Sequence, residues 1–326
     1  YLEAMKAWKV PSENLIYADV DGNIGWQAAG LAPQRDGWFG RLPVPGTGAY
    51  EWQGFLPLDR LPREYNPARG FITTANHNIM PEGYEPPLGF DWASPQRYRR
   101  IVDVLSAGRN FTVEDFQRLQ LDVYSSAAAN ACATVRDWTG VSELTERARH
   151  LLVEWDARLD RDSPAAALYH VWRDTLDSRA LREATPAALR DSLLEAALAA
   201  AVGRLEAEQG TDWTAWRWGP MNALAFPHPL GVAAFELPSV ERSGDGTTVN
   251  VAGRRSGASF REIIDLADWD HSVATSTPGQ SGQPGSPHYG DLLPLWAEGR
   301  YFPLLFSREA VEANTAHRLM LRPGPR

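Results

Sequence analysis

The run Asn76-His77-Asn78 places three hydrogen-bonding side chains in succession. They follow Gly70 to Ala75 (GFITTA), a β-branched and aromatic stretch that predicts a strand. Polar groups gathered at a strand end mark a candidate site. His77 is of the type that serves as a general base, although a lone histidine there is as readily a hydrogen-bonded structural group. The other histidines are His150, His170, His228, His271, His288 and His317, and no two of the seven stand at i, i+4, as a zinc-binding helix requires. This excludes the helix-borne metalloprotease pattern. No G-x-S-x-G elbow occurs; the nearest run, Gly279-Gln280-Ser281-Gly282, lacks the glycine spacing. Asp19, Asp21, Asp36, Glu82, Glu85 and Asp91 lack the spacing of an EF-hand loop and read as solvated turn carboxylates. From the residues alone the chain carries a polar cluster and no complete catalytic set.

The elements that must position this cluster are legible from periodicity and turn chemistry. Asn14 to Trp26 alternates apolar residues either side of Asp21-Gly22 and predicts a β-hairpin. Arg41 to Pro57 holds Pro43, Pro45, Gly46 and Gly48 and predicts an irregular loop. Helix signals begin at Ser94: one helix over Pro95 to Leu105, and a second from Val113 to about Asn130, opened by a Thr112/Asp115 capping pattern. Asn110-Phe111-Thr112 also fits a glycosylation acceptor, but Thr112 is better used as the cap. Ser163-Pro164 and Thr185-Pro186 repeat a cap-then-proline start, and Leu189, Leu193, Leu194, Leu198, Val202 and Leu205 mark one buried stripe.

Past Gly210 the pattern returns to strands at Val232 to Leu237, Thr247 to Val251 and Ser259 to Leu266. Ser276 to Asp291 is Gly, Pro and Ser rich, lacks a following helix to receive phosphate, and reads as an ordered loop. A β region, a helical block and a β return predict an α+β protein with stretches 1–94, 95–215 and 216–326.

Composition narrows the partners. The 326 residues carry a net charge of −9 with no run of Lys or Arg, which argues against nucleic acid. No apolar stretch approaches the roughly 20 residues that span a bilayer, so no membrane segment is expected. Cys132, the single cysteine, rules out an internal disulfide and a cysteine zinc cluster. The 13 Trp point to aromatic core packing in preference to an apolar binding cleft. Tyr1 to Trp8 reads as the end of an amphipathic helix without a signal peptide or initiator methionine, so sequence upstream is expected.

Seven segments in collinear order resemble the penicillin acylase family: YADVDGNIGW (Tyr17 to Trp26), RLPVPGTG (Arg41 to Gly48), NPARGFITTANHN (Asn66 to Asn78), PQRYRRI (Pro95 to Ile101), DSPAAALYHVW (Asp162 to Trp172), FPHPLG (Phe226 to Gly231) and GQSGQPGSPHYGD (Gly279 to Asp291). Any one would be weak; their order makes coincidence a poor explanation. The resemblance implies an N-terminal nucleophile (Ntn) hydrolase, an αββα sandwich of which this chain is the later part of the β chain, with a mainly helical insert. It implies amide hydrolysis that removes an acyl side chain from a β-lactam or related N-acyl substrate. An acyl-homoserine lactone or lipopeptide acylase, or a non-catalytic binding relative of the family, are the alternatives.

The nucleophile would be an N-terminal Ser upstream of Tyr1, and the partners an α chain, the upstream part of the β chain and a small N-acyl substrate. The family's N-x-N motif falls on Asn76-His77-Asn78, with Asn78 donating to the tetrahedral oxyanion and Asn76 and His77 standing behind it. Its supporting arginine falls on Arg97, with Arg99 or Arg100 as alternatives. No catalytic cofactor is implied; several members hold a structural calcium, for which Gly40 would lend its carbonyl and Glu85 is the nearest carboxylate. Family maturation places the protein in the periplasm or outside the cell.

Overall fold

The computed structural model describes residues 2–183, 185 and 187–324, which gather into two compact units, Tyr1–Arg109 and Asn110–Arg326. The helical stretch expected over 95–215 runs across that boundary, its first helix belonging to the first unit.

The first unit opens with a short helix α1 (Leu2–Met5) and the expected hairpin, in which β1 (Glu13–Ala18) pairs antiparallel with β2 (Ile24–Ala29). The chain turns at Gly22, whose φ of 86° a Cβ would disfavour. The Asp19 carboxylate steadies this turn by accepting the backbone N–H groups of Asp21 and Asn23 at 3.0 and 2.9 Å. β3 (Arg63–Tyr65) joins the free edge of β2, giving the order β1-β2-β3. Central β2 is buried from Gly25 to Ala29, so both of its faces are covered and the alternation of a half-exposed strand is lost. Trp26, Ala28, Leu56 and Leu61 form the core here, with Ile72, Ile79 and Leu88 packed against it.

Residues 41–57 are irregular, as their prolines and glycines dictate. The strand expected over Gly70 to Ala75 does not form: among the described residues 71–74 enter no ladder. Their side chains favour extended backbone, but a strand also needs a paired edge, and Ile72 is used to cover the core. The unit closes with α2 (Gln96–Ala107), capped by Pro95.

In the second unit the helix expected over 113–130 is two, α3 (Val113–Gln120) and α4 (Ser126–Ala133). The backbone between them bonds elsewhere: Val123 O accepts from Leu159 N–H at 3.0 Å, and the Asp122 carboxylate accepts from Tyr124 N–H at 2.8 Å. The cap at the start of α3 is as expected. Thr112 Oγ1 accepts from Asp115 N–H at 3.3 Å while the Asp115 carboxylate accepts from Thr112 N–H at 2.8 Å. Thr112→Ala is therefore expected to cost about 1 kcal/mol, read as a lower urea midpoint.

Helices α5 (Glu143–Val153), α6 (Pro164–Thr175), α7 (Ser178–Glu183) and α8 (Ala187–Gln209) complete the helical block. Ser163 caps α6 by accepting from Ala166 N–H at 3.1 Å. The matching signal at Thr185-Pro186 falls on Pro186, which lies outside the described residues. Ala165 to Trp172 of α6 are all buried, and α6 packs against both α5 and α8, which also touch each other. In α8 the stripe is buried at Leu194, Leu198, Val202 and Leu205, whereas Leu189 stays 48% exposed. Periodicity names a face; the neighbouring helix decides how much of it is covered. Trp172, Trp213, Trp216 and Trp218 all sit in this core, with Trp213 and Trp216 stacked at 4.8 Å, so the tryptophans there are packing residues.

The rest is loops and short strands. β4 (Leu224–Phe226) pairs with β5 (Leu237–Val240), β6 (Ala252–Gly253) with β7 (Ser256–Gly257), and β8 (Arg261–Ile263), β9 (Val273–Thr275) and β10 (Phe302–Pro303) form a sheet in the order β10-β9-β8; two short helices, α9 (Leu293–Ala297) and α10 (Arg308–Ala313), follow the loops. Three strand expectations are corrected. Residues 232–237 hold a 3-10 turn, Ala233–Phe235, before β5 begins; 247–251 form turns; and of 259–266 only Arg261–Ile263 is strand. In 247–251 side chains satisfy the backbone locally, Asp245 accepting from Thr247 N–H at 2.7 Å and Thr248 Oγ1 donating to Asn250 O at 2.9 Å. Residues 276–291 form the expected loop, with no helix until α9. No helix among the described residues is long and apolar enough to cross a membrane.

One buried histidine makes stability sensitive to acid. His170 of α6 lies flat on Trp218 at 3.6 Å, and burial lowers its pKa to about 4, against the attraction of Asp245. The unfolded chain binds this proton near pH 6.5 and the folded chain does not. Stability is thus full above about pH 6.5 and falls as the pH drops towards 4. Urea midpoints at pH 7 and 4.5 should show this loss, and His170→Phe should reduce it.

Candidate active site

Backbone geometry at the end of 70–75 sets up the polar run. Asn76 has φ of 60°, a left-handed conformation that asparagine tolerates better than most residues, and its carbonyl accepts from Ala93 N–H at 2.9 Å. The chain therefore turns sharply here and presents consecutive side chains in different directions. Asn78 Oδ1 accepts from Met80 N–H at 3.0 Å, closing a two-residue Asx turn. Asn78 is exposed, and with its oxygen engaged by Met80 its NH2 group stays available as a donor.

The first turn of α2 buttresses this loop through two residues. Arg97 Nη2 donates to Asn76 Oδ1 at 3.0 Å. The Tyr98 ring stacks on His77 with centroids 3.8 Å apart and planes 18° from parallel. Among the three arginines left open by the sequence, Arg97 bonds to the loop, at Asn76, two residues before Asn78. Burial draws the Arg97 guanidinium below its ordinary pKa, and this group remains a cation at neutral pH. Burial also lowers His77, whose Nδ1 is enclosed without a hydrogen-bond partner, so the imidazole is neutral near pH 7 and packs as a ring. Tyr98 escaped the sequence reading; its position three residues into PQRYRRI was the available signal, but nothing in spacing shows which ring meets which.

A cavity of about 330 Å³ opens beside the loop, lined by Asn76 together with Ala28, Leu31, Ile79, Leu88 and Trp92. Its walls are mainly apolar, with Ser12, Glu13, Asn14 and Asp91 as further polar lining besides Asn76, an arrangement suited to an apolar group carried next to a polar bond. Of the residues considered for calcium, Gly40 has the Arg35 guanidinium against it, its Nε 2.9 Å from where a Cβ would stand. Glu85 is exposed, and no group of three or more His, Cys, Asp or Glu side chains able to hold a metal occurs among the described residues. No step below involves a metal.

Comparison with known proteins gives one consistent result. A family model described as penicillin amidase matches residues 1–313. The penicillin acylase 2 proenzyme of a Pseudomonas species is 31% identical over 98% of this chain and 47% of that protein. An acyl-homoserine lactone acylase of Pseudomonas syringae is 27% identical over 95% of this chain and 46% of its own length. The chain thus spans about half the length of the curated relatives it matches. Among solved structures, a thermostable penicillin G acylase from Alcaligenes faecalis superposes over 100% of this chain and 70% of that one, with a TM-score of 0.67 at 21% identity. The likeness shows that the chain shares the fold of the matching part of that acylase.

Proposed function

This chain belongs to the penicillin amidase family, and from that premise we propose that it supplies the oxyanion-binding side of an amide hydrolase whose nucleophile lies on sequence not contained in it. The observation that carries the reading is the exposed Asn78 side chain, whose oxygen is held by Met80 N–H and whose amide N–H groups are left to donate. In the proposed reaction, an N-terminal Ser passes its hydroxyl proton to its own α-amino nitrogen, and Oγ adds to the substrate carbonyl carbon. The amine titrates near roughly 7.7–8.0 in model peptides, so a useful fraction is neutral at ordinary pH.

The carbonyl oxygen becomes an anion, and an Asn78 N–H donates to it. The C–N bond then breaks, the leaving amine takes the proton, and water hydrolyses the acyl ester. Arg97 holds Asn76 and with it the turn that aims Asn78. The neutral imidazole of His77, stacked on Tyr98, stiffens the same loop. The apolar cavity beside Asn76 suits the acyl group.

The substrate is an acyl side chain linked through an amide to a β-lactam nucleus or a related amine. An acyl-homoserine lactone is the second reading, supported by the acylases of that class among the relatives. An α chain and the upstream part of a β chain complete the enzyme, outside the cytoplasm. The test is N-terminal sequencing of the mature protein together with labelling by a serine-directed sulfonyl fluoride. The expected result is a companion polypeptide that begins with Ser and carries the label; its absence, with no label on any chain, sinks the proposal.

A further inference from the structure

Arg242 and Arg261 in the second unit are each only 5% exposed, and neither has a carboxylate within ion-pair distance among the described residues. Both donate instead to one neutral acceptor, Asn250 Oδ1, at 3.4 Å from Arg242 and 2.8 Å from Arg261. The Arg242 guanidinium also covers the Trp296 ring at 3.9 Å. Arg261 Nη1 is buried with no partner. Two like charges thus share a neutral amide in a dry setting, where an uncompensated buried ion is strongly destabilising. Burial, then the neighbouring charge of Arg261, pulls Arg242 down to about 10, so it stays protonated at neutral pH.

Arg242 and Asn250 form part of the wall of a cavity of about 360 Å³. Leu121, Val123 and Ala297 supply apolar wall. Arg161 and four carboxylates also line it, and each carboxylate is paired with an arginine: Arg217 holds Asp162 and Glu241 at 2.5 and 2.6 Å, Arg300 holds Glu298 at 2.7 Å, and Arg158 stands 3.6 Å from Asp160.

We propose that this cavity binds a small monocarboxylate with a compact apolar body, its carboxylate on Arg242 and Asn250 and its charge completing the Arg242–Arg261 pair. The planar guanidinium fork matches a carboxylate, and inorganic phosphate, which has no apolar body, leaves the Leu121, Val123 and Ala297 wall unfilled. Calorimetric titration of the whole protein with benzoate tests it, with neutral benzamide and inorganic phosphate as comparison probes.

Benzoate is expected to bind one per chain, benzamide and phosphate at least tenfold more weakly, and Arg242→Gln to weaken benzoate at least tenfold. Asn250→Asp places a carboxylate of the same shape between the two guanidiniums. It should raise the melting temperature and abolish the benzoate response, and it decides the matter even if Arg242→Gln fails to fold. Benzamide or phosphate binding as tightly as benzoate, no benzoate binding at all, or a lower melting temperature for Asn250→Asp overturns the proposal.

Discussion

On the proposed function, Asn78→Ala in the assembled protein is expected to lower kcat by about a hundredfold or more, while KM moves far less. One preorganised donor to a tetrahedral oxyanion is worth roughly 2.7–4 kcal/mol, because the charge it meets develops only in the transition state. The turn geometry gives the reason to expect the full value. Met80 N–H holds the amide oxygen at 3.0 Å, which restrains the side chain before substrate arrives and limits the reorganisation needed. Asn78→Asp keeps the shape but sets a carboxylate beside the developing oxyanion, and should lose at least as much. Arg97→Gln should fall between these and the native enzyme, because Arg97 touches Asn76 and acts on Asn78 only through the turn. Steady-state hydrolysis of phenylacetyl and fatty-acyl amides by protein titrated for active serine measures all three. An Asn78→Ala enzyme within threefold of native kcat would remove Asn78 from the reaction.

Trp216→Ala should have the largest effect on stability, about 3–5 kcal/mol, the range for emptying a buried aromatic site. Trp216 is fully buried, stacks on Trp213 at 4.8 Å, and its indole N–H donates to Gly210 O at 2.8 Å. Alanine leaves a cavity and strips that carbonyl of its partner. Trp216→Phe separates the two contributions: it keeps most of the packing and loses the hydrogen bond, for about 1 kcal/mol from the bond itself. Urea denaturation followed by circular dichroism reads both variants, and equal losses in the two would mean the hydrogen bond, not the packing, carries the site.

Much of this architecture was legible beforehand where the information is local. The hairpin around Gly22, the Thr112/Asp115 cap and the Ser163 start of α6 each depend on residues within a few positions of one another, and each stands where expected. The misreadings share the opposite property. Gly70 to Ala75 has strand-forming side chains but no paired edge among the described residues, and the 113–130 helix breaks because Val123 bonds to Leu159. Strand pairing and helix interruption depend on what lies across the fold, which propensity does not record.

At the candidate site the same division holds. Residue types and order along the chain were enough to single out Asn76-His77-Asn78 and to nominate Arg97 among three neighbouring arginines, through resemblance to a family whose membership the comparisons establish. Only the folded chain decided that Arg97 bonds to Asn76, that His77 is stacked on Tyr98, and that a guanidinium occupies the surroundings of Gly40. It also brought Arg242 and Arg261 onto one asparagine. A sequence determines which groups a chain carries and the local turns that present them. Which groups meet, and whether a buried charge finds its counter-charge, is set by packing between distant segments, where direction and distance exist only after folding.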